Sequence, residues 1–214
     1  MFQQRPLRVV LVLLVVTLVA GVAMAKPKHG GNRGGGGKCD DPCTQPCTRP
    51  CESAVTEPVS LQRGAQANLT NAERESLLAM RREEKLAHDV YVALGAKFNH
   101  RIFSNIAGSE LRHEQAVAGL LDKYGVPDPV RNLPVGKFDD PSVQALYDQY
   151  VARGSASLSA ALQVGVDIET LDIADLQATL NIVKKPDIVS VYENLLAGSQ
   201  KHLAAFQRVL AAQK

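Results

Sequence analysis

Three long segments without proline constrain most strongly how this chain can fold. They cover residues 70–126, 142–185 and 187–214, and prolines cluster in the breaks between them. Apolar residues recur in these segments at intervals of three and four, which is the spacing of a helix with one buried face. No segment sustains the period-two alternation of a half-buried strand. The sequence therefore predicts an all-α domain.

Capping and turn residues predict where the helices begin and end. Thr70 and Glu73 form a capping-box signature ahead of an apolar run, so a helix should start near residue 71. Gly125 should end the second helix, and Asp140 should cap a short helix that opens with a proline. The predicted helices run from 71 to about 95–99, from 101 to 124, from 142 to 152, from 156 to 182, and from 186 to the C-terminus.

A long connection, residues 125–140, separates the second and third long helices. Four long helices with one such crossover are typical of a ferritin-like four-helix bundle, in which the crossover joins two helix pairs. We expect this fold, with one short extra helix, over residues 68–214. An ordinary up-down bundle and an α-hairpin repeat are alternatives. The sequence shows no repeat of fixed period, which disfavours the repeat architecture.

The first 25 residues predict a secretory signal peptide. Arg5 and Arg8 form a basic end, an apolar run covers residues 9–22, and Ala23-Met24-Ala25 matches a cleavage site. An uncleaved anchor is the alternative, but the apolar run is shorter than the ~20 residues that span a bilayer. We therefore expect a periplasmic or secreted protein with no membrane segment after cleavage.

Residues 26–67 are predicted to form a flexible linker, rich first in glycine and then in cysteine and proline. Its cysteines recur every four residues. An even number of close cysteines in an oxidising compartment favours disulfides, whose connectivity the sequence leaves open. A four-thiolate metal site is the alternative, although the spacing is not the C-x₂-C pairing of zinc ribbons. The cysteines are Cys39, Cys43, Cys47 and Cys51.

Composition and charge exclude several classes of partner. The chain has no tryptophan and only 5% aromatic residues, which disfavours a stacking platform for single-stranded nucleic acid. Residues 1–25 hold two arginines and no acid, so their removal leaves 22 basic and 22 acidic residues. Because a neutral chain offers no electrostatic footprint for nucleic acid, we expect no such partner.

Acidic and histidine residues interrupt the apolar stripe of every long helix. Glu84 lies amid the first stripe, and Glu110 and His113 form a Glu-x-x-His pair in the second. A spacing of three places both members of that pair on one helix face. Across the four stripes, the candidate metal ligands are Glu84, Glu110, His113, Glu169, Asp172 and His202.

Other charged residues fall beside the stripes. Glu83 lies about 100° around the helix from its neighbour Glu84, and Glu193 is about half a turn out of phase with His202. Both outlying glutamates are therefore predicted to be solvated. The basic residues beside the stripes are Arg81, Lys85 and Arg112.

Metal coordination is the simplest way to satisfy the six candidate ligands together. A buried carboxylate without a partner must be paired or take up a proton, and no arginine lies centrally in the stripes. Glutamates from some helices with Glu-x-x-His pairs from others are typical of di-iron and di-manganese carboxylate bundles. A fully hydrogen-bonded polar network, without metal, is the alternative.

Four short motifs lie in order along residues 68–212. They are EEKLAHDVY at 83–91, SELRH at 109–113, DIADL at 172–176, and VYENLLAGS at 191–199 followed by His202 and Leu203. Together they resemble the ferritin-like family known as domain of unknown function 2202. That family has no settled activity, and its wider ferritin-like relatives bind two irons and handle dioxygen, peroxide or ferrous ion.

The resemblance implies roles for the residues of the first two helices. Glu84 would be the one ligand of the first helix, with Tyr91 two turns on as a redox-active or ligand-supporting group. Glu110 and His113 would be the ligand pair of the second helix. His88, one turn after Glu84, would be an extra ligand or a group that supports one.

The resemblance also implies roles on the last two long helices. Glu169 would be a bridging carboxylate, Asp172 a second acid beside it, and His202 the histidine of the last helix. Ser199 departs from the pattern, because di-iron relatives usually present a glutamate three residues before that histidine. The departure leaves the site short of a carboxylate unless Asp172 supplies it.

These features predict an exported di-metal protein, with two iron ions, that oxidises ferrous ion or reduces peroxide. Manganese, zinc and copper are alternative metals for mixed carboxylate and imidazole ligands. Peroxide reduction would need an external electron donor, because the chain lacks a second electron-transfer domain with rubredoxin spacing. A non-catalytic metal-binding or stress-related protein that holds zinc or copper is the other interpretation. The sequence leaves a homo-oligomer open.

Overall fold

The computed structural model describes residues 68–213. Within them it contains five helices and no strand, which confirms the predicted all-α class. The predicted signal peptide and linker, with the four cysteines, lie outside the described residues. The helices are α1 (Asn71–Phe98), α2 (Arg101–Tyr124), α3 (Pro141–Gly154), α4 (Leu158–Leu180) and α5 (Pro186–Ala211).

The helix ends follow the capping residues. Thr70 Oγ1 accepts a hydrogen bond from the Glu73 amide at 3.1 Å, and the Glu73 carboxylate accepts one from the Thr70 amide at 2.9 Å. Gly125 ends α2 with φ at 65°, a left-handed conformation that glycine adopts without strain. The predicted start of α4 was two residues early, because Ser157 caps it by accepting from the Ala160 amide at 3.1 Å.

The four long helices form two packed pairs, α1 with α2 and α4 with α5. Short turns join the members of each pair, which makes them antiparallel neighbours. Gly165 permits close packing of α4 on α5, since a β-carbon there would lie 2.6 Å from the Phe206 ring. The short α3 packs against α1 and α4. None of the described helices is long and apolar enough to cross a membrane.

The connection over 125–140 is fixed to α1 by buried charged groups. The Asp89 carboxylate accepts a hydrogen bond from the Gly136 amide at 2.8 Å and is paired with Lys85. Lys85 Nζ also donates to the Pro134 carbonyl at 3.2 Å. The sequence placed Lys85 beside the stripe, yet it is only 4% exposed, because the connection folds back over it.

Arg81 is a second basic residue that the connection buries. Its guanidinium donates to Glu114 at 2.8 Å and to Asp128 at 2.9 Å. Arg81 therefore links α1, α2 and the start of the connection through one side chain.

The apolar core is divided into two clusters along the bundle. The Phe103 cluster surrounds Tyr91, Phe103 and Phe206, and the Leu121 cluster surrounds Leu77 and Leu121. On each long helix, the six candidate ligands of the apolar stripes fall between a residue of one cluster and a residue of the other. The flanking pairs are Met80 and Ala87 on α1, Ala107 and Val117 on α2, Ile168 and Leu176 on α4, and Leu195 and Phe206 on α5. The six candidate ligands thus form a polar layer between the two apolar clusters. The layer consists of Glu84, Glu110, His113, Glu169, Asp172 and His202.

Candidate metal centre

The polar layer contains a first group of ligand atoms from α1 and α2. His113 Nδ1 lies 2.8 Å from Glu110 Oε2 and 3.3 Å from Glu84 Oε2. Both glutamates are only 2% exposed. The three side chains offer atoms close enough to hold one metal ion between them.

A second group draws its ligand atoms from α2, α4 and α5. His202 Nδ1 lies 2.7 Å from Glu110 Oε1 and 3.6 Å from Glu169 Oε2. These three side chains can also hold an ion. The two imidazole rings are stacked, with centroids 5.6 Å apart. Glu110 belongs to both groups and presents a different oxygen to each histidine.

Several ligand atoms in the layer are buried without a hydrogen-bond partner among the described residues. Glu110 Oε1 and His202 Nδ1 are close together, yet their orientations do not form a hydrogen bond. Glu84 Oε1 is likewise unpartnered. Buried polar atoms are nearly always satisfied, and a metal ion held between these side chains would satisfy them. The residues present therefore fit a metal centre.

Electrostatics in the layer reflect the crowding of carboxylates. Burial, with the charges of Asp172 and Glu110, raises the pKa of Glu84 well above its usual range. Burial likewise raises the pKa of Glu169 to about 8. For Glu110, burial acts in the same direction, but the contacts with His113 and His202 outweigh it and lower the pKa to about 2.

The histidine of α5 responds in the opposite sense. Burial disfavours its cation, but Glu110 and Glu169 outweigh that effect and raise the pKa of His202 to about 9. Without metal, protons therefore balance part of the negative charge in the layer. A bound cation would replace them and leave the carboxylates ionised.

Tyr91 lies at the edge of the layer, where it joins the Phe103 cluster. It is fully buried, and its hydroxyl donates to Glu169 Oε1 at 2.8 Å. Burial and the Glu169 charge raise the pKa of Tyr91 well above its usual value, so the phenol keeps its proton. Tyr91 therefore fixes the orientation of one ligand oxygen and leaves the other directed toward His202.

Asp172 lies on the side of the layer that faces a cavity lined by residues of α1, α2, α3 and α4. The cavity is lined by Glu84, Glu110, Glu169 and Asp172, among others. Asp172 Oδ1 has no hydrogen-bond partner in the described part of the chain. Burial raises the pKa of Asp172 to about 7. The residue is near the two ligand groups but belongs to neither.

Glu83 corrects one prediction from the sequence. It was expected to be solvated, but it is half-buried, lines the same cavity, and its Oε2 atom is shielded. Burial, with the charges of Asp175 and Asp172, raises its pKa well above the usual range. The helical repeat alone could not predict the burial of Glu83, because α4 packs over a part of the α1 surface that carries no apolar stripe. Glu193 is exposed, as expected.

His88, which the resemblance made an extra ligand or a supporting group, lies in a different group from the other predicted ligands. Its Nδ1 is 2.8 Å from Asp89 Oδ1 and 3.3 Å from Glu114 Oε1. These atoms are also close enough to hold an ion. However, Lys85 pairs with the first carboxylate and Arg81 with the second, so the group already has its cations.

Ser199 and Gly198 show how α5 differs from the other helices at this level. Ser199 is 1% exposed, and its hydroxyl donates to the Leu195 carbonyl at 3.0 Å. A β-carbon on Gly198 would lie 2.7 Å from His113 Nε2. The absence of a side chain therefore gives the imidazole of α2 its place against α5. The sequence signal was a glycine inside a helix, which usually has a packing reason.

The fold and the layer define an all-helical bundle with a buried centre of carboxylates and imidazoles. The chain belongs to the family of the uncharacterized protein domain DUF2202, whose model matches residues 73–214. This confirms the resemblance of the four motifs to domain of unknown function 2202.

A relative of known structure comes from the archaeon Methanocaldococcus jannaschii. The chain is 49% identical over 142 residues to the uncharacterized protein MJ0754, a match that covers 66% of this chain and 77% of that protein. The crystal structure of hypothetical protein MJ0754 superimposes with a TM-score of 0.67 at 48% identity, covering 68% of this chain and 83% of that one. The helical fold is thus shared with an experimentally determined structure.

Proposed function

We propose that this chain is a ferritin-like protein whose bundle holds two iron ions and that it reduces peroxide or oxidises ferrous ion. The observation that carries the proposal is the sharing of Glu110 between two Glu/His groups. Its Oε2 faces His113 and its Oε1 faces His202, so one carboxylate can serve two ions. The crossover over 125–140 between two helix pairs supports the ferritin-like arrangement.

Each side chain of the layer has a distinct part in this proposal. Glu84 and His113 would complete the first position, and Glu169 and His202 the second. The resemblance assigned the bridge to Glu169, but the distances favour Glu110. Tyr91 holds Glu169 by its hydroxyl hydrogen bond and keeps its own proton. Asp172 is the acid best placed to add a ligand from the cavity side.

An iron pair, when bound, supplies two one-electron steps at neighbouring positions. Reduction of one peroxide consumes two electrons and two protons and yields two water molecules. The electrons come from ferrous substrate or from an external electron donor. The protein contributes a layer shielded on both sides by apolar clusters, in which carboxylates stabilise the more highly charged ferric state.

Ser199 favours a second candidate, a non-catalytic protein that holds zinc or copper. Because residue 199 is a serine, α5 provides His202 without a carboxylate three residues earlier. The serine hydroxyl donates to a backbone carbonyl of its own helix. Fewer acidic ligands suit a single ion bound by imidazole. Copper and zinc bind such ligands more tightly than ferrous iron does.

We also propose that the protein acts outside the cytoplasm, with residues 1–25 as a signal peptide and 26–67 as a linker. This part of the proposal rests on the sequence alone. Metal would then be loaded after export, and disulfides among the four cysteines would be compatible with the compartment.

Oxidation of ferrous iron under controlled conditions tests the proposal. Metal-free protein is loaded anaerobically with two equivalents of Fe²⁺, mixed with peroxide, and followed by optical absorbance. We expect oxidation well above the rate without protein, and loss of that excess in Glu110→Ala. Iron oxidation at the background rate would reject the redox function. Tight binding of one zinc or copper per chain, together with background oxidation, would support the second candidate.

A further inference from the structure

The cavity that Asp172 faces has a volume of about 30 Å³ and reaches the polar layer. Glu84, Glu110 and Glu169 lie at its inner end, each only 2% exposed. Leu171 also lines it and is 37% exposed, so the cavity approaches the surface there. One water molecule needs ~10–15 Å³ of such space. The cavity therefore has room for a molecule of about two or three heavy atoms beside the candidate ligands.

The wall of this cavity is almost entirely apolar, because the carboxylates at its inner end contribute little surface to it. Its apolar side chains include Leu86 and Ala87 of α1 and Ile168 and Leu171 of α4. A hydrated metal ion would lose its water against these side chains, and an anion would also meet buried carboxylates. The wall therefore favours a small neutral molecule, the class to which hydrogen peroxide and dioxygen belong.

Tyr150 gives the short helix α3 a part in this cavity. Among the described residues that line it, Tyr150 alone comes from α3 and alone is aromatic. The side chain is half-buried and packs against the Phe103 cluster. The Arg153 guanidinium lies 5.4 Å from the centroid of the ring and pairs with Asp167 of α4 at 2.6 Å. The ring is thus held by contacts with the core and with a neighbouring side chain, and it forms a fixed part of the wall.

We propose that Tyr150 is a specificity-determining residue that limits the oxidants of the layer to neutral molecules of about the size of hydrogen peroxide and excludes organic hydroperoxides. The inference rests on the proposed redox function and adds a size limit on its oxidant. tert-Butyl hydroperoxide carries a branched alkyl group besides its two oxygens, which exceeds the space in the cavity. Removal of the Tyr150 ring would enlarge that space on the α3 side.

The two oxidants require the same electrons and protons, so a difference between them reports access. Each accepts two electrons from two ferrous ions together with two protons, and its O–O bond breaks. Hydrogen peroxide yields two water molecules, whereas the organic hydroperoxide yields one alcohol and one water molecule.

Iron oxidation by these two oxidants in the full-length protein tests the inference. Protein loaded anaerobically with two equivalents of Fe²⁺ is mixed with either oxidant, and the rate above that without protein is measured. We expect Tyr150→Ala to raise the rate with tert-butyl hydroperoxide, relative to hydrogen peroxide, by roughly 10-fold or more over wild type. Tyr150→Leu, which retains apolar packing, should shift this ratio in the same direction, and Tyr150→Phe should keep the wild-type ratio. Tyr147→Ala is the matched control, because it removes the same ring from α3 outside the cavity lining.

Dioxygen provides a second readout that needs no iron. It is neutral and paramagnetic, so it broadens the NMR signals of methyl groups that it approaches. In the full-length, metal-free protein under dioxygen pressure, we expect stronger broadening at the methyl groups of Ala87 and Ile168 than at those of Leu121. All three residues are buried, but only the first two line the cavity.

Several results would overturn the inference while leaving the proposed function intact. They are a wild-type ratio in both Tyr150→Ala and Tyr150→Leu, an equal shift in Tyr147→Ala, and broadening at Leu121 as strong as at Ala87 and Ile168. Background oxidation of iron by hydrogen peroxide in wild type would overturn both the size limit and the proposed function.

Discussion

Glu110 and Gly198 illustrate how single residues determine the geometry of the layer. Glu110 presents its two oxygens to two histidines, which requires both imidazoles to lie within 3 Å of one carboxylate. His113 reaches that position only because Gly198 leaves room behind its ring. The position of His113 therefore depends on the missing side chain at Gly198 of α5 as well as on α2.

Gly198→Ala should weaken metal binding without unfolding the bundle. The new methyl group would lie 2.7 Å from His113 Nε2, so the ring must shift and its Nδ1 contacts with Glu84 and Glu110 would be disturbed. We expect a 10- to 100-fold loss of Co²⁺ affinity, on the order of 1.4–2.7 kcal/mol, which is typical when the support of a ligand is disturbed. Titration by isothermal calorimetry measures it.

Gly119→Ala is the matched control for this substitution. Gly119 is also inside a helix, but it is exposed, and a β-carbon there would contact nothing within 4 Å. Alanine should stabilise α2 by up to ~1 kcal/mol and leave Co²⁺ affinity unchanged. Equal affinities for the two alanine variants would mean that Gly198 does not position His113.

The sequence predicted which residues are candidate ligands, but it did not predict the packing around them. Glu84, Glu110, His113, Glu169 and His202 come together because the helical repeat determines which face each occupies. The burial of Glu83 depends on how closely α4 approaches α1, and the role of Gly198 depends on the distance between α2 and α5. Neither distance is contained in the periodicity of a single helix.

At the scale of elements, the start of α1 depends on one carboxylate. Glu73 accepts hydrogen bonds from the Thr70 amide and, through its other oxygen, from the Lys184 amide at 3.1 Å. Burial opposes its ionisation, but these backbone bonds outweigh burial and lower the pKa of Glu73 below its ordinary value of 4.5. The carboxylate therefore ties the first helix to the turn between α4 and α5.

Glu73→Gln should make the bundle less stable at neutral pH. Because the folded-state pKa is lowered, Glu73 contributes stability above about pH 4.5 that is lost as the pH falls through the folded-state value. We expect a loss of about 1 kcal/mol in the free energy of unfolding at neutral pH, fading in acid. Urea denaturation at a series of pH values measures it. The exposed Glu75→Gln is the control, and a loss that persists unchanged in acid would contradict the linkage.

The connection over 125–140 should depend on Asp89. Asp89→Asn would leave Lys85 buried without its carboxylate partner, which costs about 3 kcal/mol for pairs of this kind. Hydrogen exchange should show faster opening at the Gly136 amide, which Asp89 now binds. Asp122→Asn, which breaks an exposed pair with Arg131, should cost less than ~1 kcal/mol. Similar losses in both variants would show that the connection is not held by Asp89.

Element boundaries were largely predictable, whereas the docking of the connection was not. Prolines, caps and a terminal glycine located all five helices to within a few residues, because these signals are local. The burial of Arg81 and Lys85 arises only when residues distant in sequence fold over α1. A stripe of apolar residues cannot show that a neighbouring lysine will be covered by a loop.

For the whole molecule, we propose that one layer between two apolar clusters holds two metal ions through a shared Glu110. The most direct measurement is elemental analysis of the full-length protein after anaerobic saturation with Fe²⁺ and removal of free metal. We expect two iron ions per chain in wild type and in Glu193→Ala, whose side chain is exposed on α5. We expect loss of bound iron in Glu110→Ala. Wild-type protein without stoichiometric iron, or Glu110→Ala with two ions retained, would contradict the shared site.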